Sequence, residues 1–182
     1  HMILTDTHIH LYAEEFDSDR KELIQLAIEQ QVSRFFLPSI DSTSVKGLLD
    51  LQQHYPENCF PMMGLHPCYV KENYVKELKI VEKELGQNTY SAIGEIGMDL
   101  YWDKTFVTQQ EAAFVRQITW ASELNLPVSI HSRNATDEVI ALIEKNSHLQ
   151  VNGIFHCFSG TKKKKKKAID LGFYLGIGGV VT

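Results

Sequence analysis

The chain has 182 residues, 43% of them hydrophobic and 23% charged, with a formal charge of −5. That length supports one domain with a sizeable core, and the composition is ordinary for a globular protein. The acidic balance argues against nucleic-acid binding by overall field, and no apolar run approaches the roughly 20 residues of a membrane-spanning helix.

Three cysteines, Cys59, Cys68 and Cys157, lack C-x-x-C spacing, which argues against a disulfide framework and for a reduced, cytoplasmic protein. The start lacks the basic and apolar regions of a signal peptide. His1 ahead of Met2 reads as a tag remnant, leaving residues 3–182 as the domain.

Strand-like runs begin near Ile3, Arg34, Phe60, Ala92, Pro127, Gly153 and Phe173. They are apolar nearly throughout, as parallel strands covered on both faces should be. Amphipathic stretches lie between them. Residues 18–32 carry Leu23, Ile24, Ala27 and Ile28 on one side. Ser42 reads as an N-cap ahead of Val45, Leu48 and Leu49. Tyr74, Leu78, Val81 and Leu85 lead to Gly86, read as a C-cap. Residues 110–124 carry Phe114, Ile118 and Ala121, and residues 137–145 carry Val139, Ile140 and Ile143. Residues 162–167 are six lysines. They read as a solvated helix start or loop, a phosphate-attracting patch, or an altered stretch.

Repeated β-then-α units imply a parallel sheet with right-handed crossovers. An open doubly wound sheet and a closed (β/α)8 TIM barrel compete. Neither dinucleotide nor P-loop glycine pattern is present, and the polar residues favour the barrel, with about seven βα units in the chain. Four runs end in histidine: His8 with His10, His66, His131 and His156. A fifth ends in Glu95. In such a barrel the C-terminal strand ends converge on one mouth, and side chains at i and i+2 point the same way, so His8 and His10 can share one ion. Imidazole and carboxylate donors suit Zn, Mn, Fe or Ni, and carboxylates admit Mg. Glu95 is the natural bridge between two ions. His66 is either a ligand or a substrate contact. Cys68 and Cys157 read as small buried residues rather than thiolate ligands, and His54 and His148 as structural.

The runs Thr5-Asp6-Thr7-His8-Ile9-His10, Gly64-Leu65-His66-Pro67, Gly94-Glu95-Ile96-Gly97-Met98-Asp99, His131-Ser132-Arg133 and His156-Cys157-Phe158-Ser159-Gly160 together resemble the TatD family of metal-dependent deoxyribonucleases. The likeness spans essentially the whole chain. It implies an amidohydrolase-like TIM barrel that hydrolyses DNA phosphodiesters, commonly as an exonuclease on single strands or chain ends. It also implies two divalent ions (Mg, Mn or Zn), one held by His8, His10 and Glu95, the other by Glu95, His131 and His156. His66, Arg133, Tyr101 and Trp102 would line the substrate cleft. Asp99 is a further candidate catalytic residue, as proton acceptor or as a partner that orients a ligand histidine. Arg133 is suited to grip a phosphate oxygen. Tyr101 and Trp102 either stack on bases or cap the core.

The family carries another aspartate after strand eight, in a Thr-Asp-x-Pro-like stretch, and no such stretch follows residues 173–182. A TIM barrel typically takes about 250 residues, so the expectation is a barrel incomplete at its C-terminus. Two other readings stay open. One is an amidohydrolase-type enzyme acting on a small amide, lactone or phosphoester. The other is an inactive, truncated barrel.

Overall fold

The computed structural model describes residues 3–179. The tag-like residues 1–2 and the last three positions of the seventh run lie outside them. Among the described residues, seven parallel strands form one sheet in sequential order. They are β1 (Leu4–Asp6), β2 (Val32–Pro38), β3 (Cys59–Met63), β4 (Ala92–Gly97), β5 (Val128–His131), β6 (Gly153–Phe155) and β7 (Phe173–Leu175). Six helices connect them: α1 (Arg20–Glu29), α2 (Val45–His54), α3 (Tyr74–Gln87), α4 (Val107–Leu124), α5 (Thr136–Lys145) and α6 (Lys162–Asp170).

In a flat sheet, β1 and β6 would lie five strand spacings apart, roughly 24 Å. Instead the rings of His8, just after β1, and His156, just after β6, stack at 3.4 Å. The sheet therefore curls, and the TIM-barrel reading over the doubly wound one is borne out. The core lies on both faces of the strands. β4 is buried at all six positions, as a strand under helices on one side and barrel interior on the other must be.

Two helix boundaries differ from the expectation. Ser42 opens a 3-10 turn, and the cap there is Asp41, whose side chain accepts from the Thr43 amide at 2.9 Å. The Ser42 hydroxyl instead donates to Glu77 Oε1 of α3 at 2.9 Å. Gly86 lies inside α3, which Asn88 caps. The lysine run is helical. Thr161 caps it, Ala168 anchors it in the core, and Lys164 and Lys166 pair with Asp137 and Asp170 at 2.9 and 2.7 Å. Among the described residues, no helix is long and apolar enough to cross a membrane.

Candidate metal centre at the barrel mouth

The register of β4 against β5 slips between Gly94 and Ile96. Gly97 follows with φ +142°, and a Cβ there would stand 1.9 Å from the His131 carbonyl oxygen. Only glycine permits that approach, which keeps the Glu95 segment tight against the end of β5. Glu95, 3% exposed, is the centre of the mouth. Its Oε2 lies 3.0 Å from His8 Nε2, 3.4 Å from His66 Nε2 and 3.9 Å from His10 Nε2. Its Oε1 lies 3.0 Å from His131 Nδ1. Three strand ends thus aim four imidazoles at one carboxylate on a fourth. His156 joins them by stacking on His8.

Local bonds set the ring states. Tyr12 gives its single hydroxyl proton to the Pro38 carbonyl at 2.6 Å. The 3.0 Å contact between Tyr12 and His10 Nδ1 is therefore donated by the ring, which leaves His10 Nε2 with its lone pair towards Glu95. His66 Nδ1 accepts from the Cys68 amide at 3.1 Å, so its Nε2 is a donor into the site. Burial lowers the His10 pKa, with His8 adding to the effect. Burial also lowers His66 and His156, each to about 4. At neutral pH these rings are uncharged, the form that binds metal. His131 goes the other way. Burial opposes its charge, but bonds to Glu95 and to Asp99 Oδ2, at 2.7 Å, raise it. Burial alone would raise Glu95, yet hydrogen bonds from His131 and His8 hold it well below the usual carboxylate range.

Asp99 is buried and committed. It accepts from the amides of Tyr101 and Trp102 at 3.0 and 3.1 Å and holds His131. Leu100 bonds back to the Arg133 carbonyl at 3.0 Å. This brings the Arg133 guanidinium 3.8 Å from the Tyr101 ring and 5.2 Å from that of Trp102. Arg133, Tyr101 and Trp102 are exposed on the rim, so the two aromatics face solvent rather than cap the core. Cys68 is half-buried near Asp99, and burial pushes its thiol up to about 12. Cys157 is also half-buried, while Cys59 is buried at the start of β3.

Sequence reading missed two glutamines. Gln117 Oε1 accepts from the Leu65 amide at 2.7 Å and its Nε2 donates to the Leu65 carbonyl at 3.3 Å. Gln110 clamps the Asp99 backbone in the same way, at 2.8 and 3.3 Å. Both lie on the buried face of α4, 0% and 2% exposed. The available signal was a polar side chain seven residues from another on the stripe that carries Phe114, Ile118 and Ala121.

The donor chemistry fits a divalent ion. One ligand atom each from His8, His10 and Glu95 lies within 4.8 Å of the others, as for a second group, His66, Cys68 and His131. Fold and site define the class: a (β/α) barrel with a histidine–carboxylate centre at the C-terminal ends of its strands. Comparison with known proteins agrees. The profile described as TatD related DNase matches residues 5–182. The metal-dependent hydrolase YabD of Bacillus subtilis is 33% identical over 180 residues, covering 99% of this chain and 70% of YabD. A 3'-5' ssDNA/RNA exonuclease TatD of Escherichia fergusonii is 29% identical, covering 97% of this chain and 67% of its own length. The crystal structure of YjjV, a TatD homologue from Escherichia coli K12, superposes with a TM-score of 0.90 at 26% identity, over 98% of this chain and 69% of YjjV. The chain belongs to the TatD-related DNase family, and so to the metal-dependent hydrolases.

Proposed function

We propose that the chain is a divalent-metal-dependent deoxyribonuclease that removes nucleotides from single-stranded or frayed DNA ends. The observation that carries the reading is the convergence of four imidazoles on buried Glu95. The exonuclease name of the Escherichia fergusonii relative supports the choice of substrate.

In this reading His8, His10 and Glu95 hold one ion, and Glu95, His131 and His156 hold a second. Such ions lower the pKa of water and neutralise charge on phosphoryl and leaving oxygens. The chain's own residues supply the rest. Tyr12 and Asp99 orient His10 and His131, as hydrogen-bonded partners of metal-binding imidazoles do. His66 Nε2–H and the forked Arg133 donors bind phosphate oxygens. Glu95, held in its ionised form by hydrogen bonds from His131 and His8, accepts hydrogen bonds from the donors around it.

The test is cleavage of an end-labelled single-stranded oligonucleotide, first in EDTA and then with added Mg, Mn or Zn. Metal should restore cleavage, and Glu95→Ala should reduce it by on the order of 10³-fold. A folded, metal-loaded chain that leaves DNA intact but opens a lactone or phosphotriester would replace this reading with the small-molecule hydrolase.

A further inference from the structure

Beside the Glu95 centre, the loops after β3 and β4 enclose a pocket of about 320 Å³. His66, Tyr69, Lys71, Asp99, Trp102 and Asp103 are among its lining residues. We propose that this pocket is a subsite for one unpaired nucleobase, stacked on Trp102 and read at its edge by Lys71 and Asp103. The inference rests on the nuclease reading, because it places the base next to a phosphate held at the centre.

Three observations support it. First, Trp102 is 65% exposed, so indole surface is open at the pocket for a base to stack on. Its backbone is fixed by Asp99, so stacking there demands little further ordering. Second, Arg133 already stacks on Tyr101 at 3.8 Å. Its guanidinium face is used, and its edge donors remain for phosphate. Arg133 also lies 5.2 Å from the Trp102 ring, and the rim divides its work, with Arg133 for the backbone and the indole surface that stays exposed for the base.

Third, two of the pocket's polar groups, Lys71 and Asp103, are a donor and an acceptor held side by side. Lys71 Nζ lies 3.0 Å from Asp103 Oδ2. Asp103 is itself oriented by the Thr105 amide at 2.8 Å, and Lys71 sits 5.5 Å over the Phe106 ring. A base edge presents donors and acceptors in the same plane as its rings, so it can meet the pair while its face meets the indole. A paired base inside a duplex offers neither its face nor its Watson–Crick edge. The subsite therefore selects unpaired ends and works with any base, since every base has a π-face.

The two tryptophans make the test direct. Trp120 is 5% exposed and Trp102 is the accessible one. Titrating the chain in EDTA with a short thymidylate oligonucleotide should quench tryptophan fluorescence, and Trp102→Leu should abolish the quench. The same change should weaken binding of the intact oligonucleotide roughly 5- to 150-fold. It should leave unchanged the binding of one with an abasic position at the cleaved end. Lys71→Ala and Asp103→Ala should each weaken the intact oligonucleotide by a smaller factor. Equal losses on intact and abasic strands, or a quench that survives Trp102→Leu, would overturn the subsite. Quenching by a chain that cuts no DNA under any metal would keep the subsite and reject the nuclease reading. Cleavage without any effect of Trp102→Leu would do the reverse.

Discussion

The pair β4–β5 and the pair β6–β7 are built on the same parallel ladder and differ in almost everything else. Every position of β4 is buried. Glycine approach, a register shift and Gln110 of α4 lock its end in place, while Gln117 of the same helix clamps the neighbouring end of β3. β7 has three residues, of which only Phe173 is buried, while Tyr174 and Ile177 are 77% and 82% exposed. A cavity of about 630 Å³ opens between α6 and β7, and none of the site residues lines it. Precision is concentrated where charge is buried. A carboxylate surrounded by imidazoles needs every partner within bonding distance, because an unpaired buried charge costs several kcal/mol.

The comparison breaks most sharply under core deletion. Phe114 on α4 is fully buried, and α4 packs on β4. Phe114→Ala should cost roughly 3–5 kcal/mol through lost burial and a residual cavity. Tyr174→Ala on β7 should stay within about 0.5 kcal/mol. Urea unfolding of both variants measures the difference. Similar losses would mean that the two strand pairs share one level of organisation.

Acid should find the centre first. Burial lowers the His66 pKa from its ordinary 6.5 to about 4 in the folded chain. For a base with a depressed folded pKa, the unfolded chain binds protons first. Stability is thus complete above about 6.5 and is lost as pH falls towards 4. For the largely buried His66 alone, the loss reaches roughly 3 kcal/mol by pH 4. His131 has the opposite sign: its contribution is present below its unfolded pKa and fades as pH rises through its raised folded value. Metal-free unfolding followed across this range should steepen between pH 6.5 and 4, and His66→Gln should flatten it. An unchanged slope in that variant would assign the acid sensitivity to other groups.

Much of this was legible from the chain alone. Strand starts fell within about two residues of those observed, because parallel strands buried on both faces read as continuous apolar runs. The convergence of His8, His10, His66, His131 and Glu95 followed from barrel geometry, since those residues end their runs. Caps were harder. Asp41 and Ser42 compete for one role, and Glu77, thirty-five positions on, settles it by taking the serine. Lys71 and Asp103 are thirty-two positions apart and meet only once two loops fold together. The six lysines form a helix because Thr161 caps it and Ala168 and the acidic partners hold it, none of which the charge pattern reveals. Gln110 and Gln117 were obscured for the opposite reason. They occupy stripe positions where apolar residues are expected, and their partners are backbone groups that no sequence displays.

Gln117 gives the finest test of the contrast, because it carries no charge and touches no substrate. Its amide satisfies the Leu65 N–H and carbonyl at 2.7 and 3.3 Å, one residue before His66. Gln117→Leu keeps the approximate volume but leaves both backbone groups buried without partners, a cost of about 1–3 kcal/mol. The more informative result is functional. Loss of the clamp frees the segment that aims His66 at Glu95, so cleavage at full folding should fall more than it does in Phe114→Ala. Equal activity per folded molecule in the two variants would show that α4 supports the site only by supporting the fold. A selective loss for Gln117→Leu would show that the helix positions the centre through hydrogen bonds as well as through packing.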